Sequence, residues 1–409
     1  MQAKTDFDIV VVGGGIVGLA SAYKITKSHP AVRLAVLEKE DHVAGHQTGH
    51  NSGVIHSGLY YKPGSAKAAT CMAGRREMIE FARTHNIPHE ICGKIIVATD
   101  EAELPAVEKL LQNGQQNGVE GLEQIGPERI REIEPFVTGI AALHVPSAGI
   151  IDYVKVAQKL VDLIERAGTH NKVLVSHEVL RFDRHDFYTN VLTRKGAFTT
   201  RYVINCAGLQ CDRVARLDGV EPPVRIIPFR GDYSELNAAA ASKVRNLVYP
   251  VPNPAFPFLG VHFTRMIGGG VECGPNAVFS FKREGYRKTD FDLRDSWESL
   301  WYPGTWVLFA KHWKYGLGEY RRAFSKKRLL ADLQRLVPSL ALEDFHPGTA
   351  GVRAQALGPN GALVDDFQIE ARGNSIHVLN APSPAATASL AIGDHINQIA
   401  TERFGGIPK

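Results

Sequence analysis

Between Asp8 and Val12 the chain is an almost unbroken apolar run, the pattern of a strand buried on both faces of a parallel sheet. A helical spacing of apolar residues follows to about Ser28, and Val32–Glu38 is a second strand, so Asp8–Glu38 reads as a βαβ unit. Ala66–His85, Glu101–Gln116 and Tyr153–Ala167 have the spacing of helices, and Lys94–Ala98 that of a strand. Phe187–Arg194 and Phe198–Ile204 alternate on either side of Lys195-Gly196, which predicts a hairpin. From Pro222 the texture changes to short strands separated by Pro and Gly: Arg225–Phe229, Asp232–Leu236, Gly260–Thr264 and Gly268–Cys273. These predict an antiparallel sheet. Arg328–Leu336 reads as a helix, Ile376–Leu379 as a last strand and Ala385–Ala400 as a last helix. The first and last parts thus resemble a nucleotide fold with a β-rich piece between them.

Composition narrows the class. The 409 residues suit two domains, and 44% apolar with 22% charged residues excludes wholesale disorder. No apolar run is long enough to span a bilayer. The start runs directly into a strand, so no signal or transit peptide is expected, and a cytoplasmic location is the default. Cys71, Cys92, Cys206, Cys211 and Cys273 form no CxxC pair, which argues against a zinc site or disulfide framework. The net charge of +4 is uneven: Ser299–Arg328 carries +6 and the remainder −2, so no nucleic-acid partner is expected.

Gly13-x-Gly15-x-x-Gly18 lies at the joint between the first strand and helix. Gly13 permits a tight turn, Gly15 lets backbone approach a pyrophosphate, and Gly18 lets helix and strand pack closely. The helix start at Ile16 and Val17 offers free N–H groups to phosphate. Glu38 follows Gly18 by twenty residues, where a carboxylate accepts hydrogen bonds from a ribose. A ligand-free glycine turn is the bland alternative, and the two flanking strands with the acid in register disfavour it. The motif does not separate NAD from FAD. His46–Gly58 is a polar, glycine-punctuated loop, long for its place, and such loops usually carry function.

Phe7–Gly18, Leu37–Glu40 and His46–Gly58 with Tyr60-Tyr61 closely resemble the FAD-dependent L-2-hydroxyglutarate dehydrogenases and oxidases. These belong to the D-amino-acid-oxidase/glycerol-3-phosphate-dehydrogenase superfamily. The resemblance continues in Pro228–Tyr233, Phe256–Thr264, Gly274–Val278, Phe281–Tyr286, Ala350–Ala356 and Asn380–Thr387, and is weakest over Asp290–Lys327. It implies an α/β fold with a Rossmann-like FAD-binding domain over 1–90, 146–221 and 346–409. A substrate domain on an antiparallel sheet with helices would occupy 91–145 and 222–345. It implies oxidation of L-2-hydroxyglutarate to 2-oxoglutarate by hydride transfer to FAD N5, with electrons passing to a quinone or other acceptor. The FAD is expected to be noncovalent, although His50 and His56 are chemically able to form a link. Implied cofactor residues are the three glycines with Ile16 and Val17, Glu38 and Lys39, then Thr48, Gly49, His50, Asn51, Ser52 and Val54. Val179, Ala207, Gly208, Asn380, Ser383, Pro384 and Ala385 complete the set. A helix starting near Ala385 would turn its positive end toward the reduced flavin.

Oxidising a 2-hydroxy acid needs a group to take the hydroxyl proton and cations to hold the carboxylate. Histidine suits the first task, and His56 and His262 are the candidates; each has a structural histidine as its alternative reading. Arg353, in a Gly-x-Arg pattern, resembles the carboxylate clamp of amino-acid-oxidase relatives, and its planar fork matches a carboxylate. Tyr61, Arg230, Asn276 and Lys282 are candidates for the second carboxylate. No metal site is expected. Other readings are a related FAD enzyme acting on another 2-hydroxy acid, an amino acid or glycerol 3-phosphate, and a flavin-binding module without turnover.

All four tryptophans, Trp297, Trp301, Trp306 and Trp313, fall in the basic region, interleaved with Tyr302, Phe309, Tyr315, Tyr320 and Phe324. Tryptophan favours the lipid headgroup zone and basic residues favour anionic lipid, so 290–328 is a candidate membrane-contact segment that would bring the protein to a quinone. Peripheral attachment to the cytoplasmic membrane, or a mitochondrial location in a eukaryote, is the expectation that follows. A core lining or a dimer contact is the competing reading. The Pro303-Gly304 break argues against one continuous helix.

Overall fold

A computed structural model of the chain describes residues 4–252 and 260–408. Phe256–Leu259 of the resemblance lie outside the described residues. The βαβ start is present: Phe7–Val12 pairs in parallel with Leu34–Leu37 on one side and Gly196–Asn205 on the other, with the helix Ile16–Ser28 between the first two strands. Val179–Arg184, Thr189–Thr193, Lys172–Leu174, Gln368–Arg372 and Ser375–Asn380 extend this to eight strands. The expected hairpin forms, with Thr193 opposite Gly196. Apolar residues of Ile16–Ser28, Ala66–Thr84, Tyr153–Arg166 and Ser389–Arg403 share one core with this sheet. A Cβ on Gly393 would come within 2.8 Å of Ala20 backbone, so glycine permits the first and last helices to touch.

The second sheet has nine strands, antiparallel except where Leu247–Pro250 runs parallel to Lys94–Ala98. Its longest pairing joins Arg225–Leu236 to Phe345–Leu357. Two short strands were expected across Arg230-Gly231; one strand passes through. Gly231 is needed there because a Cβ would sit 2.7 Å from Pro275. The glycine marks a close crossing and no turn. A three-stranded sheet of Val54–Ile55, Gly149–Ile151 and His89–Glu90 adds a smaller layer.

Two boundaries bear on function. The last helix begins at Ser389 with Ala388 as N-cap, and residues 383–388 form turns, so its start lies beyond Ala385. Pro384 and the preceding Pro382 favour that turn over an earlier helix start. Pro303 does separate two helices, Leu293–Leu300 and Pro303–Ala323, but it does so as the first residue of the second. The second helix is amphipathic. Tyr302, Phe309 and Tyr320 pack toward Phe229, Phe279 and Leu308. The four tryptophans face outward, 60–72% exposed, as do Phe324 and the side chains of Lys311 and Lys314. No helix among the described residues is long and apolar enough to cross a membrane.

Candidate active site

A cavity of about 1760 Å³ is walled by residues of both large sheets. A small-molecule pocket needs about 300–1,000 Å³, so this one has room for a dinucleotide together with a substrate. At its glycine end the backbone does the shaping. Gly13 has φ +111°, and a Cβ there would lie 2.5 Å from the Cys206 carbonyl oxygen. A Cβ on Gly18 would lie 2.1 Å from the Gly13 oxygen. At Gly15 the nearest atom would be Thr48 Oγ1 at 3.5 Å, so this glycine leaves its backbone approachable from the cavity. Thr48 Oγ1 accepts from Ile16 N at 3.0 Å and so occupies the first helical donor. Glu38 accepts from Gly14 N at 2.7 Å and from Glu40 N at 2.9 Å, which fixes a buried carboxylate at the cavity wall.

The polar loop crosses from this end toward the second sheet. Asn51 Nδ2 donates to the Gln47 and Thr48 carbonyls at 2.9 and 2.7 Å, and its Oδ1 accepts from Gly53 N at 2.8 Å, which folds the loop on itself. His50 Nδ1 donates to the Ala350 carbonyl at 3.1 Å, and its ring stacks on Tyr286 at 3.9 Å. A Cβ on Gly351 would reach 2.5 Å from the His50 carbonyl oxygen. Gly351 thus lets the loop lie against the strand that carries Arg353 to the cavity wall two residues later.

At the far end, His56 and His262 both line the cavity. His262 Nδ1 donates to the Gly260 carbonyl at 2.8 Å, so the neutral ring carries its lone pair on Nε2. The ring stacks on Tyr249 at 4.0 Å. Burial, helped by the nearby charges of Lys94 and Arg353 against the Gly260 bond, lowers its pKa to about 4. Burial first, then Lys94, His262 and Lys67, lowers His56 to about 3. Both imidazoles are therefore neutral proton acceptors at physiological pH. Ser383 Oγ lies 3.5 Å from His56 Nε2, and the His56 backbone N donates to Thr387 Oγ1 at 3.1 Å. Tyr153 Oη joins Thr387 at 2.8 Å and donates to the Val54 carbonyl at 3.0 Å, tying the histidine segment to the C-terminal loop.

The FAD dependent oxidoreductase family matches residues 8–399. The chain belongs to this family of FAD dependent oxidoreductases. Its cofactor is FAD, and the backbone-lined glycine turn, the anchored Glu38 and the cavity volume fit that group. An L-2-hydroxyglutarate dehydrogenase of Indibacter alkaliphilus is 48% identical over 400 residues, 98% of this chain and 100% of that one. The protein of the same name from Escherichia coli K12 is 43% identical, covering 95% and 92%. The mitochondrial one from Homo sapiens is 43% identical, covering 98% and 90%. Among solved structures, FAD-bound L-alpha-glycerophosphate oxidase from Mycoplasma pneumoniae superposes with a TM-score of 0.78 at 22% identity, over 97% of this chain and 94% of that one. Glycine oxidase from Bacillus cereus does so with 0.72 at 14%, over 97% and 95%. These two carry the fold, a Rossmann-like FAD unit joined to a β-sheet substrate unit.

Against this flavoenzyme frame the expected residues divide. Gly13, Gly15, Ile16, Val17, Glu38, Lys39, Thr48, His50, Asn51, Ser52, Val54, Val179, Ala207, Gly208, Asn380, Ser383, Pro384 and Ala385 all line the cavity. So do His56, Tyr61, His262 and Arg353. Gly18 and Gly49 instead serve close packing behind it, Gly49 against the Ala44 carbonyl. Arg230, Asn276 and Lys282 are not at the cavity. Arg230 donates to Asp232 Oδ1 at 2.8 Å and to the Arg287 carbonyl at 2.8 Å. Asn276 accepts from Asp232 N at 2.9 Å and donates to Asp232 Oδ2 at 3.0 Å. Both are bonded to the Asp232 carboxylate, away from the cavity. Lys282 lies in a turn whose carbonyl accepts from Ser280 Oγ at 2.7 Å. Sequence reasoning missed Lys67, Tyr153 and Tyr233, which line the cavity, and Lys94 and Thr387, which support its wall. Glu40, His46 and Glu284 come within 4.8 Å of one another, but the Lys39 ammonium already bonds to all three.

Proposed function

We propose that this protein oxidises L-2-hydroxyglutarate to 2-oxoglutarate, with FAD held noncovalently. The observation that carries the reading is one cavity holding a dinucleotide cradle, two neutral histidines and Arg353, in a chain alignable end to end with relatives of that name. FAD, when bound, supplies the acceptor for the hydrogen and electron pair that leave C2. Arg353 holds the C1 carboxylate through its guanidinium fork, and His56 or His262 takes the hydroxyl proton at Nε2. Tyr61 and Lys67, whose ammonium lies 5.0 Å from the Tyr61 ring, face the remainder of the substrate. The FAD-binding unit is drawn from 1–90, 146–221 and 358–409 and the substrate unit from 91–145 and 222–357; the boundary expected at 346 moves because Phe345–Leu357 pairs with Arg225–Leu236 in the second sheet. Anaerobic bleaching of the yellow protein by L-2-hydroxyglutarate, but not by its D enantiomer, is the expected result. Acid precipitation should release free FAD. Bleaching by an amino acid or glycerol 3-phosphate instead would overturn the substrate; flavin kept on the denatured chain would overturn the noncovalent link.

The outward tryptophans support a second element of this reading: the electrons go to a lipid-dissolved quinone at an anionic membrane surface. Trp297 and Trp301 stack at 4.8 Å, and Leu293, Trp306, Trp313 and Phe324 are exposed near Lys311, Lys314, Arg321 and Lys326–Arg328. An apolar aromatic face bordered by cations suits the lipid interface.

A further inference from the structure

Lys94 opens the Lys94–Ala98 strand and is 1% exposed. Among the described residues no carboxylate pairs with it. Its ammonium lies 4.3 Å from the Tyr249 ring centroid and 5.3 Å from that of Tyr60. The other titratable groups near it are Cys71, from the helix Ala66–Thr84, Cys92, just before its own strand, and His56 and His262. None is an anion at neutral pH, since burial pushes Cys71 up to about 12 and raises Cys92, Tyr60 and Tyr249 as well. The strands on either side place apolar Val145 and Leu247 opposite it. A buried ammonium with ring faces and no carboxylate beside it holds its proton less tightly than in water, and an arriving counter-charge stabilises it.

The surroundings say where that charge would come from. Tyr60 and Tyr249 both wall the cavity, and Tyr249 stacks on His262. Lys94 thus stands one tyrosine layer behind the substrate end, with Arg353 and Lys67 on the wall itself. We infer that Lys94 is a positioning residue that sets charge selectivity, its ammonium behind Tyr60 and Tyr249 favouring dianionic over monoanionic acids. The inference rests on the 2-hydroxy-dicarboxylate reading and deepens it. Arg353 offsets one carboxylate by contact; Lys94 acts on the dianion through a layer of low polarizability, where charge reaches farther than in water. Burial keeps His56 and His262 neutral in the ligand-free site, helped by the same Lys94 charge. A dianion offsets it and raises imidazole basicity where the proton is to be taken.

The test uses flavin-loaded protein titrated with glutarate and with valerate, equal in carbon count and unequal in charge, read by the flavin visible spectrum. Lys94→Met should weaken glutarate binding about 10–30-fold and valerate binding less than about threefold, as expected for loss of one nearby charge. Burial lowers the Lys94 pKa to about 8, so the ammonium is present below that pH and lost above it. Wild-type affinity for glutarate should therefore fall as pH rises through about 8, and this fall should vanish in the variant. Lys94→Gln serves if the methionine variant loses flavin. A merely structural lysine would weaken both acids alike. An equal loss for both, or an unchanged glutarate-to-valerate ratio, overturns the role of Lys94. Failure of L-2-hydroxyglutarate to bleach the wild type overturns the substrate reading separately, because binding of inert acids needs no turnover.

Discussion

The two ends of the cavity are made of different materials. At the glycine end the wall is mostly backbone from the short stretch Gly13–Glu38, shaped by the absence of Cβ atoms, with the Glu38 carboxylate fixed beside it. At the far end the working groups are side chains: His56, His262 and Arg353 come from three separate segments on the wall, with Lys94 from a fourth behind it, brought together only by the assembled sheets. A backbone site fails abruptly, because an added carbon collides with main chain that cannot move. A side-chain site degrades in steps, because each group contributes its own increment.

The sharpest break is Gly18→Val. The first added carbon would already lie 2.1 Å from the Gly13 oxygen. Overpacking of this kind costs about 1–3 kcal/mol, and more against backbone. The expected outcome is protein purified without flavin, read from its absorbance ratio; full flavin content would show that the turn can rearrange. At the other end, His56→Ala should keep FAD and slow flavin reduction by about 10²–10⁴-fold if it takes the proton. A defect confined to flavin occupancy would move His56 to the cofactor side of the comparison. Arg353→Lys comes next, with about 1.5–3 kcal/mol of charge-assisted bonding at stake. Stopped-flow reduction should show weaker substrate binding and slower reduction with FAD still bound, and wild-type rates would place the carboxylate elsewhere.

A smaller effect concerns stability. The folded His262 pKa of about 4 lies below its ordinary 6.5, and that of His56 is about 3. The unfolded chain therefore binds more protons between roughly pH 6.5 and 4, and stability falls as pH drops through that window. His262→Gln should flatten the dependence of Tm on pH there; an unchanged slope would mean that other groups govern it. Smallest of all for turnover is Trp306→Ser/Trp313→Ser. Activity with a soluble acceptor should be unchanged, while co-sedimentation with anionic liposomes at low salt should fall. Absence of wild-type binding would end the membrane reading.

Legibility in the sequence followed the same division. The strand, glycine turn and acid were readable because they occupy one contiguous stretch, Phe7–Glu38, where local sterics act. Arg353 was picked out by its resemblance to relatives in a Gly-x-Arg pattern, and the structure puts it on the cavity wall, with Gly351 at the crossing of the His50 loop. Arg230 and Asn276 misled because a polar block in a strand looks alike whether it faces a ligand or an internal anion such as Asp232. Lys94 gave no signal: a lysine at the head of Lys94–Ala98 reads as a solvated strand end, and only the tyrosines folded over it show otherwise. The basic tryptophan segment was visible as composition, but its division into a packed face and an outward face waited on the helix geometry.

By itself the sequence determined the parallel βαβ start, the turn that cannot carry side chains, the anchored acid and the β-rich second unit. Periodicity and glycine placement act over a few residues, where local sterics decide. Tertiary structure alone decided that Arg225–Leu236 is one strand, that the last helix waits until Ser389, and that Lys94 is buried beneath Tyr60 and Tyr249 with no carboxylate partner among the described residues. Those outcomes depend on which distant surfaces exclude water from one another, and burial is a property of the packed whole that no local pattern encodes.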